Sequence, residues 1–557
     1  MSCPAVAEEL IALADSLPAD EARAPALLAV SILENHLYTR REQPLPPSLL
    51  FSLELRIAQV LFRHTGEVAT VESMLGSLSN KLGNYEEFVL LRIEVNALLA
   101  QLMQQAGQSR AAVKVLEHSA SLAAERHLTH LQYTALLQIH QITRNAAILR
   151  TLASMALQNG HSDFARYVRV LTQLDRAQHG LPTDTSAFVA PSQGQAFTLL
   201  DLVSLMTQIT TDMTMGECAT ALPRLSSLHA QLDSKPWPAS QTIIVGPNQS
   251  LTLSWLSKPQ GFALVSLLSA HVHLADMTSH RAARFLQDGL QQLPHIRDPS
   301  WRDQMQVAIW TTQVIDAIVR QQFVQADALL IQIGQGSRIT PLHQYLHASL
   351  LQAQGRLQEA LGTFLSLAQG VQLPGPRPAA DTAVSVMSGL SAVLILRSNV
   401  VPALYNPSEA TLLLNSLRPH CTASPLQACL GLVTAADPSH QREQPLDVRK
   451  ILTSLMSQAA RLCSTDLKCL ALTLLASPQR NQTDPPAAKR QFAQAAYSLA
   501  SRPAGELSRW SLWHGLGWAR ILEEGGALEH AAQQHAMNER IRGALLQQGQ
   551  LALTPWL

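Results

Sequence analysis

Gln354-Gly355-Arg356-Leu357-Gln358-Glu359-Ala360-Leu361-Gly362-Thr363-Phe364 reads as the elbow and second arm of a helical hairpin. The apolar spacing over roughly 342–353 predicts a helix that stops at Gly355, because glycine takes the left-handed conformation a tight helix–helix turn requires. Ala360 is small enough to let two antiparallel helices approach closely. Phe364 lies one turn further along the same face and fills the space between them. If other segments carry this grammar, the chain is a stack of such hairpins.

Other segments do. Ala100, Ala112 and Ser119 stand 12 and 7 residues apart, with Gly107 at the elbow and Leu116 as the filler. Ala270, Ala282 and Gly289 repeat that spacing, with Leu286 filling and Pro294 ending the unit. Ala348 and Ala360 fit with Leu367 in the third slot, and Ala519 and Ala531 fit around Gly526 with Asn538 there. Ala488, Phe492 and Ala495 supply the second-helix half of one more unit. This pattern resembles the tetratricopeptide repeat (TPR), a helical hairpin of about 34 residues. The predicted fold is all-α: an α-solenoid of TPR-like hairpins forming a superhelix, an architecture that binds other molecules through its groove.

Helical periodicity runs through 49–63, 88–105, 111–124, 131–141, 164–178, 262–276, 282–293, 305–320 and 510–522. Thr242-Ile243-Ile244-Val245 is the best strand candidate, inside a Pro-rich connector. Connectors at 180–195, 234–249, 370–380, 437–445 and 477–486 read as surface loops. They divide the chain into expected arrays at 1–180, 196–370 and 382–557, with the poorest register over 381–476.

Charge is balanced over the 557 residues, 41 Lys+Arg against 41 Asp+Glu, which argues against a stand-alone DNA or RNA binder. The six cysteines form no CxxC pair and have no histidine at finger-like spacing, so they read as reduced thiols rather than a zinc site or a disulfide framework. Residues 1–17 carry Glu8, Glu9 and Asp15 and read as an amphipathic helix rather than a signal peptide. The apolar run 382–396 is shorter than the roughly 20 residues a bilayer demands. Asn248 and Asn481 begin glycosylation sequons that carry no weight without a secretory leader. A soluble, intracellular protein without membrane association is expected.

No motif for chemistry stands out. GxxxxGK[ST] and HExxH are absent, and Gly515-Leu516-Gly517 lacks the third glycine and preceding strand of a dinucleotide fingerprint. His530 and His535 stand five apart, and His271 and His273 point to different faces of a helix, so neither pair aims at one metal. No GxSxG elbow or marked cysteine nucleophile occurs. The expectation is a non-enzyme with no cofactor, no metal and no catalytic residue.

Two segments carry a specific likeness. Leu253-Ser-Trp255-Leu-Ser-Lys258, the apolar helix 262–275 and Arg281-Ala-Ala-Arg-Phe-Leu-Gln-Asp-Gly-Leu-Gln-Gln-Leu293 resemble the middle of the MAU chromatid-cohesion-factor family. Trp510-Ser-Leu-Trp513 followed by 525–537 is similar to that family's last unit, and 53–64 is similar to an early helix. The chain departs from the family step at Ser257, where proline is expected.

The resemblance implies the TPR subunit of the cohesin loader. It implies a superhelix that wraps the extended N-terminal segment of a Nipped-B-type adherin, a large HEAT-repeat partner. Cohesin would be engaged indirectly, and chromatin through the complex, in the nucleus. Aromatic and basic anchors dominate such grooves. The candidate partner-binding residues are Tyr133, Trp255, Trp301 and Trp310, with Lys258 and Arg302 as polar contacts. Trp255 stands out because it precedes its helix. A TPR scaffold of another assembly, such as a ubiquitin ligase, is the alternative. A chaperone-type carboxylate clamp is disfavoured by Glu94 and Asn96, where lysine would stand.

Overall fold

The computed structural model describes residues 3–17, 19–38, 45–178, 197–238, 240–246, 249–274, 281–320, 322–336, 339–372, 379–398, 400–422, 424–436, 445–477, 484–500 and 509–547. The connector 180–195, the cores of the connectors at 373–378, 437–444 and 478–483, and both sequons' asparagines lie outside them. The chain divides into two compact units: Met1–Thr172 with Ser240–Ser254, and Gln173–Ala239 with Trp255–Leu557.

The first unit is a run of antiparallel helices: α1 (Cys3–Ser16), α2 (Ala19–Tyr38), α3 (Pro47–His64), α4 (Val68–Leu82), α5 (Val89–Gln105), α6 (Ser109–Glu125), α7 (Thr129–Thr143) and α8 (Ala146–Gln158). Helix α9 (Ser162–Gln178) runs across its boundary. The helix predicted at the N-terminus is thus present as α1. The strand candidate is β1 (Ser240–Gly246), which pairs antiparallel with β2 (Gln249–Ser254) and belongs to this unit. The connector 234–249 is therefore not simply a loop. Alternation of Thr242, Ile243, Ile244 and Val245 puts two β-branched side chains on each face, and that period of two is what a strand requires.

The second unit continues with α10 (Leu199–Thr214), α11 (Cys218–Ser234), α12 (Lys258–Leu274), α13 (Arg281–Gln292), α14 (Pro299–Val319), α15 (Phe323–Gly336), α16 (Pro341–Ala353) and α17 (Leu357–Ala368). Then come α18 (Ala379–Arg397), α19 (Pro407–Leu417), α20 (Ser424–Ala435), α21 (Pro445–Arg461), α22 (Thr465–Ala476), α23 (Pro486–Ala500), α24 (Arg509–Glu524) and α25 (Leu528–Gln547). The stretch of poorest register, 381–476, mixes the long α18 with four shorter helices, so no fixed unit length recurs there.

The elbows have one chemistry. Gly107, Gly355 and Gly526 adopt φ of +76°, +83° and +76°. At each, the amide after the glycine bonds back across the turn: Gln108 N–H to Met103 O, Arg356 N–H to Leu351 O, and Ala527 N–H to Leu522 O, at 2.8–2.9 Å. This caps the carbonyls a helix end leaves unsatisfied. Gly160 and Gly216 build the same turn, and so do two residues with side chains, His127 and Cys463, at φ of +56° and +50°. Those last elbows are invisible to a search for glycine.

Inside each hairpin the small and filler positions are buried as expected. Ala112, Ala282 and Ala360 are shut off from solvent, as are Leu116, Leu286 and Phe364. Full burial of each such Leu or Phe contributes about 1.5–3 kcal/mol before the cost of ordering is counted. Asn538, which takes a slot meant for a small residue, is accommodated because Gly515 faces it: a Cβ at Gly515 would lie 2.2 Å from Asn538 Oδ1. One register needs correction. In α23 the buried residues are Ala493, Ala496 and Ala500, while Ala495 is exposed.

Within the second unit, successive helices from α11 through α18, then α20 and α21, each touch the next, and α21 touches α11 again. The circuit therefore closes on itself.

Candidate partner-binding surfaces

Trp237, Trp255, Gly261 and Phe262 form the most elaborate aromatic site of the second unit. The two indoles stack with centroids 6.2 Å apart and planes 13° from parallel, and Phe262 tilts against Trp237 at 5.8 Å. Trp237 Nε1 donates to Leu256 O at 2.9 Å, which satisfies the only polar atom of the ring. Gly261 makes the approach feasible, since a Cβ there would sit 1.9 Å from the Trp237 ring. The Lys258 ammonium lies 5.8 Å from the Phe262 centroid, within cation–π range.

Ser257, standing where proline is expected, is accommodated by capping. Its backbone N–H and hydroxyl both donate to Gln260 Oε1, at 2.9 and 2.8 Å, and its carbonyl accepts from Gly261 N–H. The start of α12 is thereby fixed without a ring. Trp255 is half-buried here and Lys258 is exposed, so these two candidates share one surface.

The other candidates are scattered. Trp301 is half-buried at the start of α14, where Asp298 Oδ1 accepts its backbone N–H at 3.1 Å, and its ring joins the cluster around Leu286 and Ile309. Arg302 beside it reaches Asp303 across 3.6 Å. Trp310 packs into a separate cluster with Val314 and Leu346.

Tyr133 requires a correction. It is fully buried in the first unit, stacked on Phe164 with centroids 4.3 Å apart and planes parallel within 1°. Its hydroxyl accepts from Asn159 Nδ2 and bonds His161 Nδ1, both at 3.1 Å. Burial pushes its pKa up and lowers that of His161. A partner cannot reach it while the ring is shut off from solvent, and its hydroxyl finds its partners inside the hairpins, as a buried tyrosine's usually does.

Sequence reasoning passed over two concavities and Trp237. One, of about 590 Å³, lies among α11, α12 and α13, where the Phe285 ring is stacked between His229 and His273 at 5.5 and 5.6 Å. Arg281, Arg284, Asp233 and Asp288 ring it. Burial lowers the pKa of His229, and Asp233 partly offsets this. The second, of about 630 Å³, lies among α15, α16 and α17, lined by Ile331, Ile339, Asp327 and His347 among others. These residues come from separate helices, and no local spacing announces them. Trp237 was legible in principle as a Trp between two prolines ahead of a strand.

Burial pushes the Cys218 and Cys429 thiols up to about 11 and the Cys469 thiol to about 12, away from the reactive thiolate. Among the described residues no group of three or more metal-ligating side chains converges, and no helix is long and apolar enough to cross a membrane.

Capped hairpins with small residues at their crossings, recurring within each unit, define a TPR-type helical-repeat protein. A family model described as cohesin loading factor matches residues 31–523, and the chain belongs to that family. Curated relatives are the MAU2 chromatid cohesion factor homologs, as the sequence resemblance had it. That of Drosophila virilis is 24% identical over 273 residues, covering 45% of this chain and 43% of the relative. That of Aedes aegypti is 21% identical over 296 residues, covering 50% and 47%. These matches thus span less than half the relatives' length. Among solved structures, Scc4 in complex with Scc2n aligns over 98% of both chains with a TM-score of 0.68 at 11% identity. Scc4 with Scc2n and Ctf19n gives a TM-score of 0.65 at 10% identity, over 98% of this chain and 99% of that one. The likeness to these establishes the fold.

Proposed function

We propose that this chain is a non-enzymatic scaffold subunit of a cohesin loading complex. Its helical repeats bind the extended N-terminal segment of a Nipped-B-type HEAT-repeat partner, and the pair engages cohesin at chromatin, in the nucleus, for sister chromatid cohesion. The observation that carries this reading is the family match over 31–523, joined to a fold that follows Scc4 along nearly its whole length. The surfaces are of a kind suited to the task. Preformed helices offer rigid anchors, so the ordering cost falls on the guest segment alone. Trp255 and Lys258, with Trp237 behind them, form the patch we assign to partner contact; Trp301, Arg302 and Trp310 are secondary candidates.

A pull-down from nuclear extract with the tagged chain tests this. Recovery of a very large HEAT-repeat protein together with cohesin subunits is expected. Recovery of a ubiquitin-ligase assembly in its place would contradict the proposal.

A further inference from the structure

His343 stands where a capping box ordinarily carries glutamate or glutamine. It is the third residue of α16, after Thr340 at the N-cap and Pro341 at the first helical position. Its Nδ1 accepts from Thr340 N–H at 3.2 Å and lies 3.1 Å from the Thr340 hydroxyl, whose oxygen faces His343 N–H at 3.5 Å. The other ring nitrogen, Nε2, lies 3.0 Å from Thr311 Oγ1 on α14. One buried imidazole therefore caps its own helix and ties that helix to the preceding hairpin.

The bonds around the ring assign its protons. Thr311 commits its hydroxyl proton to Val307 O at 2.7 Å, so its oxygen accepts from His343 Nε2–H. Nδ1 is then the lone-pair nitrogen, as its bond from Thr340 N–H also requires. A second proton can enter only at Nδ1, where it meets a backbone N–H that has no acceptor to offer in exchange. His271 provides the contrast. Its Nε2 lies 3.1 Å from Thr312 Oγ1, whose proton goes to Ala308 O at 2.9 Å, so the same chemistry pins α14 to α12. That ring makes no second hydrogen bond among the described residues, and its protonation sets no donor against a donor.

We infer that His343 is a proton-sensitive latch on α16: neutral, it caps the helix and holds it to α14, and protonated at Nδ1 it frees the first turn. That turn borders the concavity of about 630 Å³, since Ile339, His343 and Gln344 line it. Asp327 of α15 and His347 of α16 share the concavity, and α17 contributes Thr363 and Ser366, which do not titrate. On the helices packed around α16, Glu359 of α17 is paired with Arg356, Asp316 of α14 is paired with Arg320, and α18 carries Asp381 and Arg397 at its ends. None of these groups bonds the His343 ring, and burial alone lowers its pKa from the ordinary 6.5. The latch is therefore closed above pH 6.5, and opening becomes easier as pH falls below it.

Amide exchange of the full chain between pH 7 and pH 5, corrected for the chemical rate, tests the latch. Protection over 341–346 falls about tenfold across that interval in the natural chain. His343→Gln, whose amide fills the same capping-box position, keeps the protection at pH 7 and loses the pH dependence. His271→Gln leaves the pH dependence of 341–346 in place. A flat profile in the natural chain, or one that His343→Gln leaves unchanged, would overturn the inference. So would a profile that His271→Gln flattens equally, because the effect would then be general to buried histidines. Histidine-selective NMR of the natural chain at pH 7 supplies a reading that needs no variant: the Nε2–H form of His343 is expected, and the Nδ1–H form would overturn the assignment.

Discussion

Glu217 and Arg461, 244 residues apart in sequence, form an ion pair that closes the circuit of helices in the second unit. Beside it, Gly216 turns at φ +75°, and a Cβ there would lie 3.0 Å from Leu462 Cδ2 and 3.4 Å from Pro425. Arg461 is exposed and Glu217 half-buried at the surface, so the pair contributes only about 0.2–1 kcal/mol. The glycine matters more, since a side chain there adds left-handed strain to a clash. Glu217→Arg alone and Arg461→Glu alone each lower the thermal midpoint slightly, and the double reversal restores it. Gly216→Leu lowers it by several degrees more. Calorimetry of the four variants checks the order.

Tyr133→Phe keeps the stack on Phe164 and loses the hydroxyl bonds to Asn159 and His161, a cost of about 1 kcal/mol. Tyr133→Ala opens a cavity and costs about 3–5 kcal/mol, as for other buried aromatics. Partner affinity of Tyr133→Phe stays unchanged, as a core residue demands. Chemical denaturation paired with binding measurements on this variant separates the core role from a contact role.

Gly107 has open space around it, with nothing within 4 Å of where a Cβ would sit, so substitution there tests backbone strain free of clashes. Gly107→Ala at φ +76° destabilises the α5–α6 hairpin by about 1–2 kcal/mol, and Gly107→Asn by less. Faster amide exchange in 89–125, with 509–547 unaffected, is the expected readout.

His514 is buried beside Thr473, with Nδ1 2.7 Å from the hydroxyl, and burial lowers its pKa from 6.5 to about 4. Between those values the unfolded chain binds a proton that the folded chain refuses. Stability is therefore undiminished above pH 6.5, falls as pH drops, and stops falling from this source below about 4. The slope reaches at most ~1.4 kcal/mol per pH unit for one group. His229, His271 and His343 are shifted down by burial and add in the same direction. Thermal midpoints measured from pH 7 to pH 5 decline for the natural chain and decline less for His514→Gln.

The fold was legible wherever a residue type has one structural use. Gly107, Gly355 and Gly526 announced elbows because few other residues tolerate that backbone, and Ala112, Ala282 and Ala360 announced crossings because larger side chains would hold the helices apart. His127 and Cys463 perform the same turn without the signal, their strain offset by the rest of the hairpin. The ribbon was half legible: Thr242–Val245 alternates plainly, but β2, with Ser and Gln among its six residues, has weak strand propensity of its own and is held by pairing. The candidate site was least legible. An aromatic residue on a repeat helix has the same spacing whether it faces a neighbour or a guest, so Tyr133 and Trp301 could not be told apart until burial separated them, whereas Trp255 stood out by preceding its helix.

Mixing this chain with the isolated N-terminal segment of the Nipped-B-type partner, and following both by light scattering and calorimetry, addresses the central claim most directly. A one-to-one complex with a raised thermal midpoint is the predicted result. Two components that elute separately at micromolar concentration, with the midpoint unmoved, would contradict it.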